Sequence, residues 1–177
     1  DMGIEQKLWQ GAVVKITYFE NYMKDFIYQR SLSSNVRRNE SAGKAESHGV
    51  EIEAEQRIGK WMRIYTNFTY VDTKITENKA NPASVDKQVP QMPRKVFNIG
   101  GDFNWKRVSC NVAGRYVDKR YSTDDNSDKK NWGYGSRESY FVADAKVSLK
   151  LTDWVKLSLS VDNILDREYY DYYLAPG

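Results

Sequence analysis

Nothing in these 177 residues approaches a run of about 18 apolar side chains, so no helix of this chain can cross a bilayer. A crossing made by strands stays open, because alternation dilutes the hydropathy of each membrane segment. The single cysteine, Cys110, excludes an internal disulfide and a cysteine zinc site, and it falls on the apolar face of its stretch, where it reads as a small hydrophobe. The single histidine, His48, has no histidine or cysteine near it in sequence, so neither a metal centre nor a catalytic base is expected there. An excess of one charge is missing too. Lys and Arg number 27 against 24 Asp and Glu, well mixed, and a net +3 gives no basic surface for nucleic acid. No cleavable leader opens the chain, which starts at Asp1 and Met2 already in strand-like alternation, as a piece of something longer would.

What the chain has in quantity is aromatic residues, 14% of the total with 13 Tyr and 5 Trp, a composition suited to belts at two membrane interfaces. It also has eight stretches in which one face is apolar and the other wet. Met2 to Leu8 sets Met2, Ile4 and Leu8 against Glu5 and Lys7. The second stretch begins at Ala12, opposes Val14, Ile16 and Tyr18 to Lys15 and Thr17, and continues irregularly through Phe26 and Ile27. The third, His48 to Ile58, carries Val50, Ile52 and Ala54 against Glu51, Glu53, Glu55 and Arg57. The fourth alternates Met62, Ile64, Phe68 and Tyr70 with Arg63, Tyr65 and Asn67. Lys95 to Trp105, Val108 to Tyr116, Phe141 to Leu151 and Val155 to Val161 complete the set.

Two regularities give the fold class. Connections alternate short (Gln10–Gly11, Gly59–Lys60, Lys106–Arg107, Thr152–Asp153) and long (28–46, 72–88, 118–139), an asymmetry that membrane barrels share and soluble sandwiches have no reason to keep. Over the core of each strand the apolar face carries no Lys, Arg, Asp or Glu, as a lipid face must when each charge costs about 2 to 4 kcal/mol near the midplane. Strands of about ten residues also suit a tilted bilayer crossing better than the five or six usual in soluble sheets. The expectation is an all-β, antiparallel, up-and-down transmembrane barrel segment of about eight meander strands. The long polar connections are expected to hold no strands.

Three motifs extend the reading. Leu157 to Gly177, LSLSVDNILDREYYDYYLAPG, resembles the C-terminal signature of TonB-dependent outer-membrane receptors, in which a strand enters a tyrosine-rich loop and a final strand follows. Asn39 to Glu53, NESAGKAESHGVEIE, and Pro93 to Gly100, PRKVFNIG, resemble two further stretches of that family. The resemblance implies a barrel of about 22 strands closed by an N-terminal plug. Residues 1–177 would then be the C-terminal part of the barrel, with plug, TonB box and last strand outside it. It implies a place in the bacterial outer membrane, in contact with its lipid, and uptake of a scarce solute such as a ferric siderophore, haem or cobalamin. The energy would come through the TonB complex acting on the plug. No bond chemistry and no cofactor enter that scheme, and no enzyme is expected.

On this reading Glu51, Glu53, Glu55, Arg57, Arg63, Asp102, Arg115, Asp144, Lys146 and Lys156 face the lumen and the plug, or pair with one another. Tyr121, Trp132, Tyr134, Arg137, Tyr169, Tyr170, Tyr172 and Tyr173 lie in long loops, where they can stack on a planar solute or pair with anionic groups, or serve as an interfacial belt. Asp124, Asp125, Asn126 and Asp128 offer oxygens but lack the EF-hand spacing and its closing Glu, so a solvated loop is expected rather than a calcium site. The inner carboxylates stand at i, i+2 because they share a strand face, which removes a glycosidase reading.

Two other classes remain open. One is a complete eight-stranded outer-membrane barrel serving as anchor, adhesin or enzyme, whose first and last strands would pair. The other is a soluble lipocalin-like ligand-binding barrel, whose apolar face would be inside. A piece of a large barrel would instead have two open edges, and such edges are not tolerated in lipid; alone it is expected to aggregate or to need detergent.

Overall fold

A computed structural model describes residues 1–25, 27–33, 36–41, 43–128 and 136–170. Strands β1 (Met2–Trp9) and β2 (Ala12–Lys24) are joined at Gly11, whose φ of 79° is one a glycine adopts without strain. A separate hairpin follows, β3 (Ile27–Ser33) with β4 (Val36–Ser41), and then β5 (Lys44–Ile58) and β6 (Met62–Glu77). The rest are β7 (Lys95–Trp105), β8 (Val108–Val117), β9 (Tyr140–Lys150) and β10 (Lys156–Val161). Eight of them form one antiparallel sheet in the order β1-β2-β5-β6-β7-β8-β9-β10. Strands β1 and β10 are its two edges and do not pair with each other, so the closure that a small eight-stranded barrel requires is not made.

Register turns the alternation of single strands into continuous rows. Ile4, Ile16, Ile52, Phe68, Phe97, Tyr116 and Phe141 stand side by side across seven strands. Nearer the short turns, Ile58, Met62, Phe103, Cys110, Val147 and Leu159 form a second row. No part of the described chain covers this face: Val112 is 48% exposed and Leu159 69%. Its short-turn margin carries Trp9, Trp105 and Trp154, all exposed, with Trp61 set edge-on to Phe103 at 5.8 Å. An uncovered apolar band edged with indoles is the surface of a protein dissolved in lipid. A lipocalin-like barrel would have buried it.

The structure departs from the sequence expectation in the upper strands. Strand β2 runs regularly to Lys24; Ile27 opens β3 rather than prolonging β2, and Phe26 lies outside the described residues. Strand β5 starts four residues before His48, and β6 continues seven beyond Tyr70. Above the row Tyr18–Val50–Tyr70 the two faces exchange character. Glu20, His48 and Asp72 now follow in the line of the apolar face, whereas Ala45, Ser47, Thr73 and Ile75 on the other face are buried. Alternation persists with its sign reversed, so the apolar face stops although the strand does not. The hairpin β3–β4 lies in a stretch expected to be loop, because its polar composition carries no period-two signal to mark it.

Segment 78–94 seals that upper wall. The Ile75 N–H donates to Lys87 O and the Asp86 N–H to Ile75 O, each at 2.9 Å, and the Val89 N–H reaches Thr73 Oγ1 at 3.2 Å. Just below, a Cβ at Gly49 would collide with the Tyr70 carbonyl oxygen of the paired strand and come within 2.6 Å of Cζ of the Phe19 ring that lies across the glycine. A Gly49→Val variant is therefore expected to displace Phe19 and lower stability by about 1–3 kcal/mol. The urea midpoint of the full-length protein in vesicles measures it; an unchanged midpoint would show that ring and strand yield freely.

Candidate functional site

The face opposite the apolar band is a wall of charge. Glu51, Glu53, Glu55 and Arg57 project from β5, Arg63 from β6, Asp102 from β7, Arg115 from β8, Asp144 and Lys146 from β9 and Lys156 from β10. Pairing brings Arg57, Arg63, Asp102, Asn111 and Lys146 into one row. Much of the wall is paired internally. Lys15 meets Glu53 at 3.1 Å, Arg57 and Arg63 share the Glu55 carboxylate at 2.6 and 2.7 Å, and Arg63 also reaches Asp102 at 3.4 Å. Asn111 Nδ2 donates to the other Asp102 oxygen at 2.8 Å, and the Arg63 guanidinium lies 4.8 Å over the Tyr65 ring. Asp144 accepts the Asn163 N–H at 2.7 Å, so it braces the chain after β10. Among the described residues the side chains of Glu51, Lys146 and Lys156 make no hydrogen bond or ion pair.

At the long-loop end a second cluster forms where β8 ends and β9 begins. Val117, Tyr140 and Val142 make a small apolar core on the wall side. The segment after β10 folds back along β9, with the Ile164 N–H on Ala143 O at 2.8 Å, and lays Tyr169 on Tyr140 at 4.4 Å between ring centres. Beside this stack Arg120 and Arg137 exchange backbone hydrogen bonds of 2.9 and 2.7 Å, and both residues are more than nine-tenths buried. Arg120 Nη2 donates to Tyr170 O at 3.1 Å, and the Arg137 guanidinium sits 6.0 Å from the Tyr170 ring. Burial first, then the neighbouring Arg120 charge, pulls Arg137 below its ordinary value, while Asp128 and Tyr170 act the other way. An arginine so placed keeps its proton. Two guanidiniums held together under aromatic cover favour an anion, and the rings beside them offer a flat apolar contact.

Segments 78–94 and 118–128 interlock over this end. Asn81 Nδ2 donates to Asp124 Oδ2 at 2.9 Å, and Asn126 exchanges bonds of 2.8 and 3.0 Å with the backbone of Gln88. The Asp128 carboxylate takes the N–H and hydroxyl groups of Ser122 and Thr123, at 2.8 to 3.3 Å. Asp125 is pushed up by burial, yet the N–H and hydroxyl of Ser127 hold it below the usual carboxylate range. These oxygens staple the loop, and no metal-binding group occurs among the described residues.

Of the loop residues singled out from sequence, Arg137, Tyr169 and Tyr170 converge. Tyr121 stands apart, with the Lys119 ammonium 4.6 Å over its ring and its carbonyl accepting the Gln91 N–H at 2.8 Å. Trp132, Tyr134, Tyr172 and Tyr173 lie outside the described residues. Sequence reasoning misses Arg120 and Tyr140. Counting one residue back from Phe141 puts Tyr140 on the wall side; Arg120 stands in a stretch without periodicity and gives no such signal.

A family model described as TonB dependent receptor-like, beta-barrel, matches residues 1–164. The chain is 22% identical over 149 residues to the metal-pseudopaline receptor of Pseudomonas aeruginosa, covering 81% of this chain and 21% of that protein. It is 25% identical over 166 residues to the vitamin B12 transporter of Vibrio cholerae, covering 92% and 24%. The crystal structure of the ferric yersiniabactin uptake receptor of Yersinia pestis superimposes with a TM-score of 0.75 at 20% identity, over 99% of this chain and 26% of that one. The chain thus spans about a quarter or less of the length of the relatives it matches.

Proposed function

Given that the chain belongs to the TonB-dependent receptor family of outer-membrane β-barrels, we propose that residues 1–177 are the C-terminal part of the barrel of an active-uptake receptor. Its solute is a metal chelate or cofactor of the siderophore, haem or cobalamin kind. The observation that carries this reading is the pairing of two faces on one sheet: an apolar band continuous across the strands, and behind it a charged wall. In a large barrel the wall lines the lumen, where Glu51, Lys146 and Lys156 meet the plug. The Arg120–Arg137 pair and the Tyr140–Tyr169 stack contact the solute at the outer mouth. Work is done by the TonB complex on the plug; the barrel supplies binding and guidance, and breaks no bond.

The test is uptake of labelled solute by cells that carry the full receptor as their sole route. Accumulation is expected with one of the three solute kinds, and it should stop when the inner-membrane proton gradient is collapsed or TonB is deleted. Uptake that survives TonB deletion would sink the proposal.

A further inference from the structure

We propose that Asn126 is a positioning residue for the solute: its carboxamide locks segments 78–94 and 118–128 into one fixed jaw at the outer mouth, and that jaw holds Arg120 beside Arg137. Asn126 Oδ1 accepts the Gln88 N–H at 2.8 Å, and Asn126 Nδ2 donates to Gln88 O at 3.0 Å. The side chain satisfies both backbone groups of Gln88, as a neighbouring strand would, and a carboxamide carries the donor and the acceptor that this needs. A φ of 55° aims it there, a left-handed bend that Asn adopts more readily than most residues.

The tie has a firm footing. On either side of Gln88, Lys87 O accepts the Ile75 N–H and the Val89 N–H donates to Thr73 Oγ1, so both neighbours are pinned to β6. Two further contacts join the same segments: Asn81 Nδ2 to Asp124 Oδ2 at 2.9 Å, and the Gln91 N–H to Tyr121 O at 2.8 Å. A membrane strand is thus coupled through 87–89 and Asn126 to the loop that carries Arg120.

That coupling acts on the arginine pair. Arg120 is caught between the end of β8 at Val117 and the tie at Tyr121. The charges of Arg120 and Arg137 oppose each other, so a loose segment 118–128 would carry Arg120 away from its neighbour. Held in place before the solute arrives, the two guanidiniums need no gathering at the moment of binding, which is where preorganisation raises affinity.

This inference rests on the solute reading above, and the experiment separates the two. The full receptor in vesicles is titrated calorimetrically with haem, cobalamin and a ferric catecholate in turn, and amide hydrogen exchange is followed on the same samples. Asn126→Gly permits the backbone bend and deletes the carboxamide. It should speed exchange at the Arg120 and Arg137 N–H groups and leave the Ile75 N–H protected. Binding of whichever probe the parent takes should weaken roughly tenfold, since the pair is then assembled only part of the time. Lys87→Ala removes an exposed charge from the same segment, one whose side chain makes no hydrogen bond or ion pair among the described residues, and should change neither readout. Faster exchange with unchanged affinity would overturn the inference and leave Asn126 a staple of the loop. Lost affinity with unchanged exchange would overturn it too, because Asn126 would then act on the solute directly. A parent that binds none of the three probes overturns the solute reading, and this inference with it.

Discussion

An arginine at Val112 is expected to prevent the receptor from holding in a bilayer, whereas an arginine at the adjacent Asn111 should leave it standing. Val112 sits midway along β8 in the apolar band, between Gly101 and Ala145, and 48% of it is exposed with no described part of the chain over it. A guanidinium there lies near the bilayer midplane and costs about 2–4 kcal/mol. Domain stabilities are only about 5–15 kcal/mol, so that is a large fraction of the total. Asn111 points the other way, and its amide already donates to Asp102 at 2.8 Å. An arginine in its place keeps a donor for that carboxylate. Urea titration in vesicles, followed by the gel shift between folded and heat-unfolded barrel, reads both variants. Equal losses at 111 and 112 would mean that the two faces do not see different solvents.

Replacing Arg120 by methionine should separate binding from stability. Arg120 and Arg137 are buried side by side, and the repulsion between them contributes to the lowered pKa of Arg137. Methionine fills similar volume and relieves that repulsion, which offsets the hydrogen bond to Tyr170 O that is lost, so the unfolding midpoint should move little. If the pair holds an anionic group of the solute, removing one guanidinium forfeits a charge-assisted hydrogen bond of about 1.5–3 kcal/mol, a loss of about ten- to a hundredfold in affinity. Calorimetric titration of the full receptor with its solute measures it. A variant that binds like the parent would assign the pair to loop architecture alone.

How much of the molecule is legible in its sequence depends on which solvent each segment meets. Strand β7, expected over Lys95 to Trp105, has those bounds because it lies wholly within the band, where apolar alternation and strand end together. Strands β5 and β6 outrun their expected limits because the exchange of faces at Val50 and Tyr70 looks, along a line of apolar residues, like an ending. The wall residues are legible for the same reason as the band: a period of two fixes one face by fixing the other. The arginine pair is half legible. Arg137 stands out by its chemistry, but the hydrogen bond from Arg120 to Tyr170 joins positions 50 residues apart through loops, and loop contacts of that span leave no period to read.

The seam at Tyr18, Val50 and Tyr70 gives these strands two separate histories. Below it the rules of oil apply, and a single misplaced charge is costly; above it the same backbone obeys the rules of any water-soluble protein, with Ile75 and Ala45 shielded and Glu20, His48 and Asp72 wetted. Lengthening or trimming the upper hairpins by two residues at a time preserves which side faces in. The upper portion can therefore change length while the band beneath it keeps its facing.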